Sequence, residues 1–112
     1  MPRGDFANET DFRHAVEALL AGMLADLDQL ETDELDPSLT PGNLTLRFDS
    51  GATFVLSQQT PTHELWLSAN LRAWHFVRED GTWVERDSGE DMLGLLGRLV
   101  GEKLRLPVKF QA

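Results

Sequence analysis

GNLTLRFDSGATFVLSQQTPTHELWLSA, residues 42–69, holds three strand-like runs in succession. In 44–48 (LTLRF), Leu44, Leu46 and Phe48 alternate with Thr45 and Arg47. In 53–59 (TFVLSQQ), Phe54 and Leu56 point one way and Val55, Ser57 and Gln59 the other. In 64–68 (ELWLS), Leu65 and Leu67 face in, while Glu64, Trp66 and Ser68 face out. A period of two marks strands with one buried and one wet face. Asp49-Ser50-Gly51 makes a hairpin turn, and Thr60-Pro61 ends the second run. Connections this short force antiparallel pairing.

The pattern continues downstream. In 73–77 (AWHFV), Trp74 and Phe76 face in and His75 faces out; residues 79–81 turn; 82–86 (TWVER) is a last short strand. Ser88 and Asp91 then suggest a capping-box start, followed by a helical stripe of Met92, Leu95, Leu96, Leu99 and Val100. Gly94, Gly97 and Gly101 weaken this helix, by roughly 0.5–1 kcal/mol each against Ala, and imply close packing of the helix on the sheet. The alternating Leu106, Val108 and Phe110 fit a tail that fills a groove.

Upstream, Phe12, Val16, Leu19, Leu20, Met23, Leu27 and Leu30 recur at spacings of three and four. They predict an amphipathic helix from Asp11 to about Leu30, capped by Asn8 or Thr10. DPSLTPGN, residues 36–43, with two prolines and a glycine, reads as a linker. Helix, antiparallel strands, helix: the expected fold is α+β, a two-layer sandwich with both helices on the apolar face of the sheet. One domain spans 1–112.

Charge is distributed unevenly. The net charge is -9, and residues 1–36 hold ten acids against two bases, Arg3 and Arg13. Nucleic acid and anionic membrane surfaces are therefore poor partners. The chain lacks cysteine, which excludes disulfides, thiolate metal sites and cysteine nucleophiles within it. No apolar run is long enough to span a membrane, and no signal pattern opens the chain, so a cytoplasmic protein, or the mature form of a processed one, is expected.

Five of the acids crowd into LDQLETDELD, residues 27–36. Like charges this close repel, by roughly 0.2–0.5 kcal/mol per pair on a helix. On helical geometry Glu17 and Asp28 share a bearing, with Glu31 within about 60° of it. Asp33, Glu34 and Asp36 extend the ridge beyond a fraying helix end. Hard cations suit such oxygen donors; a solvated charged face suits them too. His14, His63 and His75 have no metal-ligand spacing. No catalytic motif is present, and nothing selects Ser57, His75 and an Asp as a triad, so the chain is not expected to be an enzyme. The outward sheet face offers Ser57, Gln59, Trp66 and His75, and an exposed Trp among small polar residues resembles a protein-binding hot spot.

LSQQTPTHELWLSA (56–69), AWHF (73–76), GTWVERDSGED (81–91) and LGLL (93–96) closely resemble the frataxin family, and its bacterial branch most. GNLTLRFDSG (42–51) and the acidic first helix also fit, so the resemblance covers roughly residues 9–110. The Q-x-P-x-x-x-x-W-L core is specific; the acidic helix alone is not. The resemblance implies the α–β sandwich fold. It implies weak binding of iron, Fe2+ and Fe3+, along the acidic ridge of the first helix and the edge that follows, with Asp28 and Glu31 at the family's ridge positions; Glu17, Asp33, Glu34 and Asp36 join them as candidate metal ligands by charge and bearing. It implies docking to the cysteine desulfurase and iron–sulfur scaffold protein, with Ser57, Gln59 and Trp66 at the family's contact positions. It further implies regulation of cluster assembly or iron donation, and a monomer that in some members oligomerises with iron. The sequence departs from the bacterial pattern at Leu24, Ala25 and Gln29 on the helix, at Ser57 where Asn is usual, and in RAWHF (72–76). An adaptor that docks a basic partner surface without metal is the alternative.

Overall fold

Asn8 starts the first helix: its Oδ1 accepts the backbone N–H of Asp11 at 2.8 Å, and the chain runs helical as α1 over Glu9–Asp28. The computed structural model describes residues 3–112; Met1 and Pro2 of the expected 1–112 domain lie outside the described residues. Phe12, Val16, Leu20, Met23 and Leu27 are buried along one stripe, as the spacing requires. The helix stops before Leu30. Its last turn holds Asp26 and Asp28 and no base, against the negative end of the dipole, so that terminus is weak. Glu31 consequently sits in the connection and not on the helix face.

Six strands follow: β1 (Leu35–Thr40), β2 (Asn43–Phe48), β3 (Thr53–Gln59), β4 (Glu64–Ala69), β5 (Arg72–Glu79) and β6 (Thr82–Glu85). They pair antiparallel with their neighbours in sequence order, giving a simple meander. The strand β1 replaces the expected linker. Asp49 N donates to Glu34 O at 2.9 Å, and Asp36 and Ser38 face Arg47 and Thr45 across the ladder. Antiparallel alternation then turns the backbone groups of Leu35, Pro37 and Leu39 away from β2. Pro37 lies on an edge strand with its missing N–H on the open side, where no ladder bond is lost. Pro41 and Gly42 form the two-residue turn to β2, Gly42 at φ +79.

Both helices cover one sheet face. Leu44, Leu46, Phe48, Phe54, Leu56, Leu65, Leu67 and Phe76 meet the α1 stripe and the buried face of α2 (Met92–Leu104) in one core. Each such side chain contributes about 1.5–3 kcal/mol through burial. Asp91 caps α2, its Oδ2 accepting Gly94 N at 2.8 Å. Ser88 is not the cap; it lies in the preceding turn, where its N–H and that of Asp87 bond the Glu85 carboxylate.

The tail does fill a groove. A Cβ on Gly97 would lie 2.8 Å from Val108 O, and one on Gly101 2.9 Å from Leu106 O. These glycines admit the tail, not the sheet as expected. Phe110 is buried, and the Asp26 carboxylate accepts the N–H groups of Gln111 and Ala112.

Residues 3–8 strap the far end of the sandwich. Arg3 N donates to Thr62 O and Asp5 N to Arg78 O. Phe6 packs under the Arg78 guanidinium, 3.8 Å from its ring centre, and against Phe12 and Trp83. His63 belongs to the same cluster. It is buried, stacks on Phe12 at 4.9 Å, and adopts φ 55 at the end of a 3-10 turn over Thr60–Thr62.

Candidate functional site

The uncovered sheet face sets Asn43, Ser57, Trp66 and His75 side by side on four adjacent strands. Ser57, Gln59, Trp66 and His75, the residues singled out from sequence, therefore come together on β3, β4 and β5. Trp66 stays 38% exposed, covered by neither loop nor tail. Its indole stacks on the His75 imidazole at 4.4 Å with the planes 17° apart. Gln59 Nε2 donates to Ser57 Oγ at 3.2 Å, and the Ser57 hydroxyl reaches toward Trp66 O at 3.5 Å.

One residue of this face departs from the sequence reading. Glu64 was expected in solvent, yet its side chain is 1% exposed. Its carboxylate accepts Trp66 Nε1 at 3.0 Å and Arg86 Nη1 at 3.2 Å, and Arg3 Nε lies 3.7 Å away. Burial pushes the Glu64 carboxyl up; hydrogen bonds from Trp66, Arg86 and Thr62, with the charge of Arg86, outweigh it and hold the group below the usual glutamate value. Alternation places Glu64 on the outward side correctly. What covers it is the strap and the residue after β6, 61 and 22 positions away, and no local pattern announces them.

The acidic ridge is open. Glu17, Asp28, Glu31, Asp33, Glu34 and Asp36 are all exposed, and none forms an ion pair among the described residues. They are also dispersed. Glu17 lies about 16 Å up the helix axis from Asp28, on the wall of an open groove with Arg13, Leu20 and Leu39. Asp36 stands opposite Arg47 in the strand register. No group of three or more His, Cys, Asp or Glu side chains converges as metal ligands among the described residues. The donors suit hard cations by type. Their spacing suits a hydrated, loosely held ion and not a closed cage.

These features define an α–β sandwich with an open polar sheet face and an anionic margin. The chain belongs to the frataxin family: the Frataxin-like domain model matches residues 5–106. It is 34% identical over 108 residues to the iron–sulfur cluster assembly protein CyaY of Ralstonia nicotianae, covering 93% of this chain and 95% of that one. It is 33% identical over 89 residues to the CyaY protein of Vibrio cholerae, covering 80% and 85%. The frataxin of Psychromonas ingrahamii shares the fold at a TM-score of 0.87 and 21% identity, over 94% of this chain and 99% of that one. A trimeric frataxin from Saccharomyces cerevisiae, complexed with ferrous iron, matches at a TM-score of 0.68 and 25% identity, over 94% and 93%.

Proposed function

We propose that this chain is a non-enzymatic, cytoplasmic protein of iron–sulfur cluster assembly. It docks the cysteine desulfurase–scaffold complex through the Trp66 face, regulates that complex, and carries iron weakly on the acidic ridge. The names of the Ralstonia and Vibrio relatives support the pathway, and the ferrous complex of the yeast relative supports the cargo.

The observation that carries the iron reading is the open ridge. Asp26 holds the tail, but a fold selected for stability alone would not also leave Asp28 at the negative end of α1 with no base in the last turn. Nor would it follow that residue with Glu31, Asp33 and Glu34, none of which has an ion-pair partner among the described residues. A cation settling on the ridge relieves that repulsion and stabilises the fold by linkage.

Titration of the 15N-labelled protein with Fe2+ tests this. Signals from residues 26–36 are expected to shift or broaden, with the sheet-face signals unmoved. Signals that stay in place at millimolar iron would remove the cargo role.

The dispersal of the carboxylates favours a second reading, a metal-independent adaptor whose ridge docks a basic partner surface. Replacing Asp28, Glu31 and Asp33 with their amides separates the two. In the iron reading metal binding falls. In the adaptor reading partner affinity falls and loses salt sensitivity, with iron present or absent.

A further inference from the structure

Glu64 is a carboxylate on the side of the sheet that the helices leave bare, yet water scarcely reaches it. Burying a carboxylate is unfavourable unless it is paired and hydrogen-bonded, and an apolar residue of similar volume often serves stability as well or better. The contacts of Glu64 show what the charged group does there. One oxygen, Oε1, receives the indole N–H of Trp66. The other, Oε2, receives Arg86, with Arg3 alongside. Both bases belong to segments that close over Glu64, so the charge is balanced without any residue of β4 doing so.

The indole is thereby held at two points. His75 supports its flat face at 4.4 Å, and Glu64 holds its N–H edge at 3.0 Å. A half-exposed Trp on a flat sheet would otherwise sample several rotamers, and a partner would bear the entropy of choosing one. A ring fixed in advance lowers that cost.

We infer that Glu64 is a positioning residue, which holds the Trp66 indole in the single pose that a docking protein meets. The inference rests on the docking role proposed above for the Trp66 face.

Two substitutions that add no volume to the site separate reach from charge. In Glu64→Asp the charge stays and the carboxylate retracts by one methylene. In Glu64→Gln the reach stays and the charge goes, and one of the two acceptor oxygens becomes an N–H2 donor that faces either Arg86 or the indole N–H. The readouts are the Trp66 indole N–H signal, identified by its loss in Trp66→Phe, and the affinity for the desulfurase–scaffold complex. Glu64→Asp is expected to move the indole signal, to speed its solvent exchange, and to weaken affinity roughly five- to tenfold, about the worth of one hydrogen bond. In Glu64→Gln the affinity is expected to follow the indole signal, staying within about twofold where the signal keeps its position and falling where it moves.

An indole signal unmoved in Glu64→Asp would overturn the inference. So would an affinity loss in Glu64→Gln with the indole signal unmoved, which would make the charge and not the pose the working feature. If Trp66→Ala bound the complex at full strength, the docking role itself would fall, whatever the indole signal did in the Glu64 variants.

Discussion

The indole of Trp66 lies nearly parallel to the imidazole of His75, 4.4 Å from it, across the β4–β5 ladder. Trp66 is half-exposed and His75 partly so. A stacked pair on an otherwise small-residue face offers a flat, preformed apolar platform about which Ser57 and Gln59 supply donors and acceptors.

Removing the platform tests its purpose. Trp66→Ala is expected to weaken binding to the desulfurase–scaffold complex by about 2 kcal/mol or more, the size of an interface hot spot. Fold stability is expected to fall by about 1–2 kcal/mol, because Glu64 loses one donor and His75 its neighbour. Calorimetric titration and urea unfolding of the same preparation measure the two. A small domain holds about 5–15 kcal/mol in reserve, so unfolding does not account for the affinity loss.

Acid is expected to loosen the strap and the covered carboxylate together. A hydrogen bond from Arg78 leads the causes that hold Asp5 below its ordinary value of 3.8. Burial raises Glu64 and Glu85, but hydrogen bonds outweigh it and leave both below their ordinary 4.5. A carboxyl depressed by folding binds fewer protons in the folded chain than in the unfolded one. Its contribution is fully present above the unfolded value and is lost as pH falls through the folded one. Unfolding stability is therefore expected to decline from about pH 4.5 downward. Glu64→Gln has one fewer such group. Its stability deficit against the parent chain, measured by urea unfolding from pH 7 to pH 3, is expected to shrink on acidification; a constant deficit would contradict the assignment.

The β4–β5 turn offers a stabilising change. Asn70 and Leu71 both adopt left-handed geometry, φ 51 and φ 62, and Leu71 is fully exposed. A two-residue hairpin of this kind favours glycine at its second position. An L-residue in that region carries roughly 1–2 kcal/mol of strain, against roughly 0.5–1 kcal/mol of extra chain entropy for glycine. Leu71→Gly is accordingly expected to raise stability by about 0.5–1 kcal/mol, read as a higher urea midpoint.

The sequence and the structure part company where distant residues decide the outcome. The stripe on α1 and the alternation in β2 to β5 are local and periodic, so burial follows them closely: Leu44, Leu46, Phe54, Leu56, Leu65 and Leu67 are each 3% exposed or less. The strand β1 was hidden because Pro37 and Pro41-Gly42 carry the marks of a linker. Only the position of Pro37 on the outer edge of the ladder makes it compatible with a strand. The close approach signalled by Gly97 and Gly101 was real, but its object was the tail. Glu64 was legible as outward-facing and not as buried, since its cover comes from Arg3 and Arg86. The carboxylates of the ridge were legible one by one. Their dispersal was not, because it depends on where α1 stops and how the chain turns into β1.

That dispersal leads to a prediction about stability without metal. Asp28, Glu31 and Asp33 are exposed, have no ion-pair partner among the described residues, and follow one another along the chain where α1 ends. Repulsion among them, and between Asp28 and the helix dipole, acts against the fold at low ionic strength. The triple variant Asp28→Asn, Glu31→Gln, Asp33→Asn is expected to melt roughly 2–4 °C higher than the parent chain in metal-free, low-salt buffer. Salt screens exposed charges within about 10 Å at 0.1 M, so the gap is expected to narrow as salt is added. Divalent iron is expected to narrow it from the other side, by stabilising the parent chain and not the variant. A variant that melted lower than the parent in metal-free buffer would mean that these carboxylates support the fold. The ridge would then be structural, and its repulsion would need no cation or basic partner to explain it.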